Sequence, residues 1–177
     1  MATPHQTAGP FWHLIDFPAW ADLLRDDGPN AGATGERIMI KGTITDGDGA
    51  LVTDAMVEIW QADPSGHYDG EFQGFGRCAT DAQGRFRFTT LKPGPVPGRG
   101  NTLQAPHVQI AIFARGLLSH VTTRLYFAGE ALNETDPMLQ LIPAERRDTL
   151  MAQSTAPATW QLDIRLRGGA ETVFLDI

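Results

Sequence analysis

The chain has 177 residues, 42% hydrophobic and 20% charged, a balance that fits a folded globular protein and excludes intrinsic disorder. A formal charge of −7 with dispersed arginines, Arg146-Arg147 being the one adjacent basic pair, excludes a nucleic-acid footprint. No apolar run reaches the length of a membrane-spanning helix, so no membrane partner is expected.

In chain order, the first part is irregular. The start MATPHQTAGPFW has neither a basic n-region nor an apolar h-region and reads as an extended arm, so a cytoplasmic location is expected. FPAWADLLRDD predicts a short helix, with Pro18 in its first turn and Gly28 beyond its end. From about residue 35 the pattern changes to strands. RIMIKGTIT (Arg37 to Thr45) alternates and stops at the turn signal DGDG. AMVEIWQA (Ala55 to Ala62) puts Met56, Glu58 and Trp60 on one face and Val57, Ile59 and Gln61 on the other. TDAQGRFRFTT leads from a turn into a strand in which Phe86 and Phe88 share a face. HVQIAIFA, VTTRLYFAG, WQLDIRLRG and ETVFLDI read as further strands, and IPAERRDTLMA (Ile142 to Ala152) as a second helix anchored by Leu150 and Met151. The 19 glycines and 12 prolines punctuate these short runs. The expectation is one all-β domain over 1–177, with an arm and short helix in 1–34. Residues 35–177 then form a β-sandwich of mixed and antiparallel sheets with short helices.

The chemistry carried by the sequence is sparse. Cys78 is the single cysteine, which excludes an intrachain disulfide and reads as a small buried hydrophobe rather than a nucleophile. Asp46, Asp48 and Asp81 stand in turns, where carboxylates cap backbone amides. There is no G-x-S-x-G, P-loop, G-x-G-x-x-G, H-E-x-x-H or C-x-x-C. Ferric iron favours hard anionic oxygen donors, and tyrosinates completed by imidazoles would satisfy it. The chain has two tyrosines: Tyr68 in the polar loop DPSGHYDGEF, and Tyr126, read as structural, in an apolar strand. His107 follows Pro106 and opens a strand, but its neighbours Val96 and Gln109 are poor metal donors. His5, His13, His67 and His120 fall at no metal-ligand spacing. Taken alone, these residues predict a β-sandwich with an incomplete site.

Four stretches add to that reading: GTITDGDGALVTDAMVEIWQADPSGHYDG, GFGRCATDAQGRFRFTTLKPGPVPG, APHVQIAIFARGL and TRLYFAG. The ordered series W-Q-A, G-R-C-x-T, K-P-G, P-H and L-Y-F that they contain resembles the intradiol ring-cleavage dioxygenases over nearly the whole chain. The family's iron pattern has a tyrosine after W-Q-A, where Tyr68 stands, and a second after K-P-G-P, where this chain has Val96. Its H-x-H pair falls on His107 and Gln109. The resemblance therefore implies a non-iron-binding α subunit, with no catalytic side chain of its own. Fe(III) would be held by a homologous β subunit, and αβ pairs would build a larger (αβ)n assembly. It implies O2-dependent cleavage of 3,4-dihydroxybenzoate (protocatechuate) to 3-carboxy-cis,cis-muconate at the α–β junction. By the same resemblance Thr7, Ala8, Gly9 and Pro10 of the arm approach the aromatic substrate in the partner's pocket. Arg115 either lines the channel that attracts the substrate carboxylate or makes an internal salt bridge. Two other readings stay open: a self-sufficient ferric dioxygenase using Tyr68, His107 and an Asp or Glu, and a transthyretin-like binding module without an enzymatic partner.

Overall fold

The computed structural model describes residues 17–98, 100 and 102–176. The arm residues Thr7, Ala8, Gly9 and Pro10, with His5 and His13, lie outside the described residues. Two β layers face each other. In the first, β1 (Arg37–Thr45) is flanked by β4 (Arg85–Leu91), antiparallel, and by β10 (Thr159–Gln161) and β11 (Ile164–Arg165), both parallel. In the second, β2 (Met56–Gln61) lies between β3 (Phe75–Ala79) and β7 (His107–Phe113), and β7 pairs β8 (Val121–Phe127). The strand β9 (Met151–Ala156) joins the layers: it is antiparallel to β10 and parallel to β8 through Tyr126↔Met151 and Phe127↔Ala152. A separate two-stranded ribbon of β5 (Val96–Pro97) and β6 (Leu103–Gln104) precedes β7.

The period of two along each strand fixes which residues fill the space between the layers. Ile38, Ile40, Ile44, Phe86 and Phe88 face inward from the first layer, and Val57, Ile59, Val108, Ile110, Ile112, Leu125 and Phe127 from the second. The alternation read for Arg37–Thr45 and for Val57, Ile59 and Gln61 is the one observed. Gly42 marks the closest approach inside the first layer, since a Cβ there would stand 1.9 Å from the carbonyl oxygen of Leu162. The strand β8 is buried on both faces from Thr123 to Phe127. Its second face meets a smaller cluster of Ala105, Tyr126, Leu139, Ile142 and Leu150, so two side chains of β8 that would otherwise meet water, Arg124 and Tyr126, are enclosed.

Four expectations need correction. The helix of Ile142 to Ala152 is only α1 (Ala144–Arg147) continued by a 3₁₀ turn, Asp148–Leu150; Leu150 is buried as expected, but Met151 opens β9 because the backbone there completes the β8 ladder. Near the start, Pro18–Ala21 forms a single 3₁₀ turn that ends where Asp22 bridges to Thr89. The stretch WQLDIRLRG is broken into β10 and β11, because the Asp163 side chain takes the amide of Thr43 at 2.9 Å between them. The described residues of ETVFLDI, 171–176, form no ladder; isolated bonds hold them, Thr172 N to Arg165 O at 2.9 Å and Leu175 N to Thr122 O at 2.7 Å. The turn carboxylates behave as expected for Asp46 and Asp81, each of which accepts two backbone amides.

Phe88 is fully buried between the layers. Phe88→Ala is expected to lower stability by about 3–5 kcal/mol, read as a shifted denaturant midpoint with an unchanged m-value.

Candidate functional site

Two of the residues singled out by sequence, Tyr68 and His107, meet at the end of the second layer where β7 begins. Tyr68, in the loop after β2, stacks on Trp60 with ring centroids 5.9 Å apart and planes 14° apart. Its hydroxyl lies 3.5 Å from Nε2 of His107. His107 is 1% exposed, and its Nδ1 is 2.7 Å from the carbonyl oxygen of Ala105. A carbonyl can only accept, so Nδ1 carries the proton and Nε2 presents a lone pair to the Tyr68 hydroxyl. Val96 is buried on β5, opposite Gln104 of β6. Gln109 stands between Trp60 of β2 and Arg124 of β8 in the two ladders that flank β7. Directly opposed residues in antiparallel ladders share a face, so Trp60, Gln109 and Arg124 form one row.

Two charged residues missed by the sequence reading organise this region. Arg124 is 9% exposed; its Nη1 donates to Gln104 Oε1 at 2.8 Å and to the Tyr126 hydroxyl at 3.4 Å. Tyr126 in turn donates to Asp136 Oδ1 at 3.3 Å. Asp136 is fully buried and accepts three backbone amides, those of Ala105, Met138 and Leu139, at 2.8–2.9 Å. The available signal was the spacing of Arg124 and Tyr126 two apart in TRLYF, which puts both on one face; nothing local reported that this face would be covered.

Burial and the Arg124 charge set the protonation states. Desolvation, helped by Arg124, pulls the His107 pKa down to about 4, so the ring is neutral at ordinary pH. Burial raises the Tyr68 phenol above its usual value, with Arg124 opposing the shift. Burial pushes Tyr126 up to about 12. Both phenols are therefore protonated donors rather than tyrosinates.

Other candidates lie elsewhere. Arg115 follows the far end of β7, is exposed, and is ion-paired to Asp54. That is the salt-bridge alternative read from sequence. His67 lies 3.9 Å from Asp63, and the His120 ring stacks on Phe113 at 5.0 Å. Among the described residues, no three His, Cys, Asp or Glu side chains form a group that could hold a metal ion.

Comparison with known proteins places this arrangement. A dioxygenase family model matches residues 9–168. The protocatechuate 3,4-dioxygenase alpha chain of Pseudomonas putida is 40% identical, over 98% of this chain and 96% of its own. The protocatechuate 3,4-dioxygenase beta chain of Burkholderia cepacia is 35% identical, over 83% of this chain and 71% of its own. Among solved structures, the dioxygenase domain of a carbohydrate-binding fusion from Streptomyces sp. SirexAA-E superposes with a TM-score of 0.66 at 27% identity, covering 96% of this chain and 100% of that one. The chain belongs to the intradiol dioxygenase family.

Intradiol dioxygenases as a family use Fe(III), which makes the donor set here a direct test. Tyr68 and His107 are spaced as two ligands of one ion would be, since donors each roughly 2 Å from a metal stand about 3–4 Å apart. The rest of the set does not fit. Val96 has no lone pair, Gln109 offers only a neutral amide, and the nearest buried charge is the cation of Arg124. A ferric ion here would meet one imidazole and one phenol whose ionisation burial opposes.

Asp136→Ala is expected to lower stability by about 3–5 kcal/mol, because three backbone amides and the Tyr126 hydroxyl lose one acceptor together; thermal and denaturant unfolding measure it. His107 gives a pH signature. Its folded pKa lies below the unfolded value of about 6.5, so the unfolded chain takes the proton first. Its contribution is whole above that pH and is lost as pH falls toward 4, by roughly 3 kcal/mol at most. His107→Asn is expected to flatten this part of the stability profile relative to the parent chain.

Proposed function

We propose that this chain is the iron-free α subunit of a protocatechuate 3,4-dioxygenase. A homologous, iron-bearing β subunit carries the catalytic centre. The pair splits 3,4-dihydroxybenzoate between its hydroxylated carbons, and both atoms of O2 enter 3-carboxy-cis,cis-muconate. The observation that supports this reading is the defective donor set: Tyr68 and His107 keep a ligand's spacing, while the other two positions of the resemblance carry Val96 and Gln109, the latter opposite the buried guanidinium of Arg124. Relatives from Pseudomonas putida and Burkholderia cepacia bearing the alpha-chain name, at 40% and 39% identity over nearly the whole chain, support the assignment. The match to a beta chain at 35% supports a homologous partner.

Within this reading the chain forms one domain whose arm residues Thr7, Ala8, Gly9 and Pro10 help to wall the partner's substrate pocket. Gly9 permits close backbone approach and Pro10 stiffens the segment. Arg115, exposed beyond β7, is available to attract the substrate carboxylate if the interface draws it from Asp54. The exposed aromatic groups Trp60 and Phe75, opposed in the β2–β3 ladder, are the kind of surface a permanent partner covers. The αβ pairs assemble further in the cytoplasm; no described helix is long and apolar enough to cross a membrane.

Purified alone, the chain is expected to be colourless, without a visible tyrosinate-to-iron band, and inactive. Co-expressed with an iron-bearing homologue it is expected to give a stable 1:1 complex that consumes one O2 per 3,4-dihydroxybenzoate. A coloured, active lone chain, or the absence of any complex, defeats the proposal.

A further inference from the structure

We propose that the guanidinium of Arg124 is the resident cation of this pocket, standing in for the metal, and that it closes the pocket to ferric ion independently of the missing ligands. The inference rests on the reading that Tyr68, Val96, His107 and Gln109 occupy the family's ligand positions. Arg124 is tied to the ladder partners of that set. It is the direct cross-strand partner of Gln109 in the β7–β8 ladder. Its Nη1 is bonded to Gln104 at 2.8 Å, and Gln104 is the ladder partner of Val96. Its other bond is to Tyr126, the cross-strand partner of His107. Its charge acts on both Tyr68 and His107.

The neighbours are those of a cation that must be tolerated rather than neutralised. Gln104, Gln109, Tyr68, Tyr126 and His107 are all uncharged as they stand, and each offers an oxygen or nitrogen lone pair. Arg124 is linked to the carboxylate of Asp136 through the Tyr126 hydroxyl. Nε of Arg124 is buried and has no hydrogen-bond partner among the described residues. A buried positive charge in low dielectric repels a second one strongly, and a trivalent ion most of all. Replacing the two lost donors would therefore leave the principal obstacle in place.

The test uses the full-length chain expressed alone. Val96→Tyr with Gln109→His restores the donor types, and Arg124→Gln or Arg124→Met then removes the charge. Each variant is loaded with ferric ion, and iron stoichiometry and the visible tyrosinate-to-iron band are read after circular dichroism has established a cooperative thermal transition. The double variant is expected to hold less than about a tenth of an equivalent of iron and to stay colourless. The triple variant is expected to approach one equivalent and to colour, at least a tenfold gain. A double variant that colours as strongly as the triple overturns the inference, and so does a folded triple variant no better than the double. Failure of both neutral replacements to fold also counts against it, since a stand-in for charge must be replaceable by a neutral side chain of similar length. The unmodified chain run beside them separates the two proposals: iron in that chain defeats the functional assignment, whereas iron in the double variant defeats only the role given to Arg124.

Discussion

The structure around β7 and β8 depends on how a buried cation and a buried carboxylate are kept apart and yet connected. Arg124 and Asp136 do not meet; the Tyr126 hydroxyl stands between them, accepting from one and donating to the other. Direct contact would give the stronger Coulombic term. It would also withdraw the carboxylate from the amides of Ala105, Met138 and Leu139, which have no other acceptor in that position. The relay lets each charge satisfy its own surroundings. Arg124 ties β6 to β8 through Gln104, and Asp136 ties the segment after β8 back to the residue that precedes Pro106. Two loops are thereby fastened to one strand by side chains. In a metal site the ion would do this fastening.

The same fastening explains why β8 has no solvent face. Residues 128–150 fold back over it and bring Leu139, Ile142 and Leu150 against Tyr126. A strand end covered on both sides can hold polar side chains only if each finds a partner, which is what Arg124, Tyr126 and Thr123 do; the Thr123 hydroxyl donates to the Val173 carbonyl at 2.7 Å. The last segment, 171–176, is thus held by side chains and isolated amides rather than by a ladder.

How much of this was legible in sequence follows from the range of the forces involved. Alternation is a local property, so β1, β2, β4 and β7 and their inward faces could be read directly, down to Phe86 with Phe88 and Val57 with Ile59. The failures fell where a distant partner decided the outcome. Met151 follows seven helical residues, 144–150, but the edge of β8 claims it for a strand. ETVFLDI alternates as a strand does, and yet its described residues, 171–176, pair with no edge as a ladder. The incomplete donor set was legible because it depends on residue identity: a valine and a glutamine are poor ligands wherever they lie. The cation was not legible. An arginine in TRLYF looks like the wet side of an edge strand until residues from beyond position 130 are seen to cover it.

On the proposed iron-free reading, the persistence of Tyr68 and His107 has a physical answer in what else they do. The Tyr68 ring stacks on Trp60 and covers part of an indole that is still 41% exposed. His107 spends its one N–H on the Ala105 carbonyl, in the residue whose amide is bound by Asp136. Removing the imidazole would orphan that carbonyl in a fully buried turn and loosen the entry to β7. Each side chain therefore has a structural task that needs no ion. Val96 and Gln109 have no such second task as tyrosine or histidine: the first lies in a two-residue ribbon, where an alkyl group packs as well as a phenol. The second faces Arg124, where an amide oxygen is a better neighbour for a guanidinium than an imidazole able to take up a proton. On the proposed reading, the pattern of what is kept and what is replaced follows from packing and charge in this pocket, with the proposed role of the guanidinium limiting which replacements are compatible.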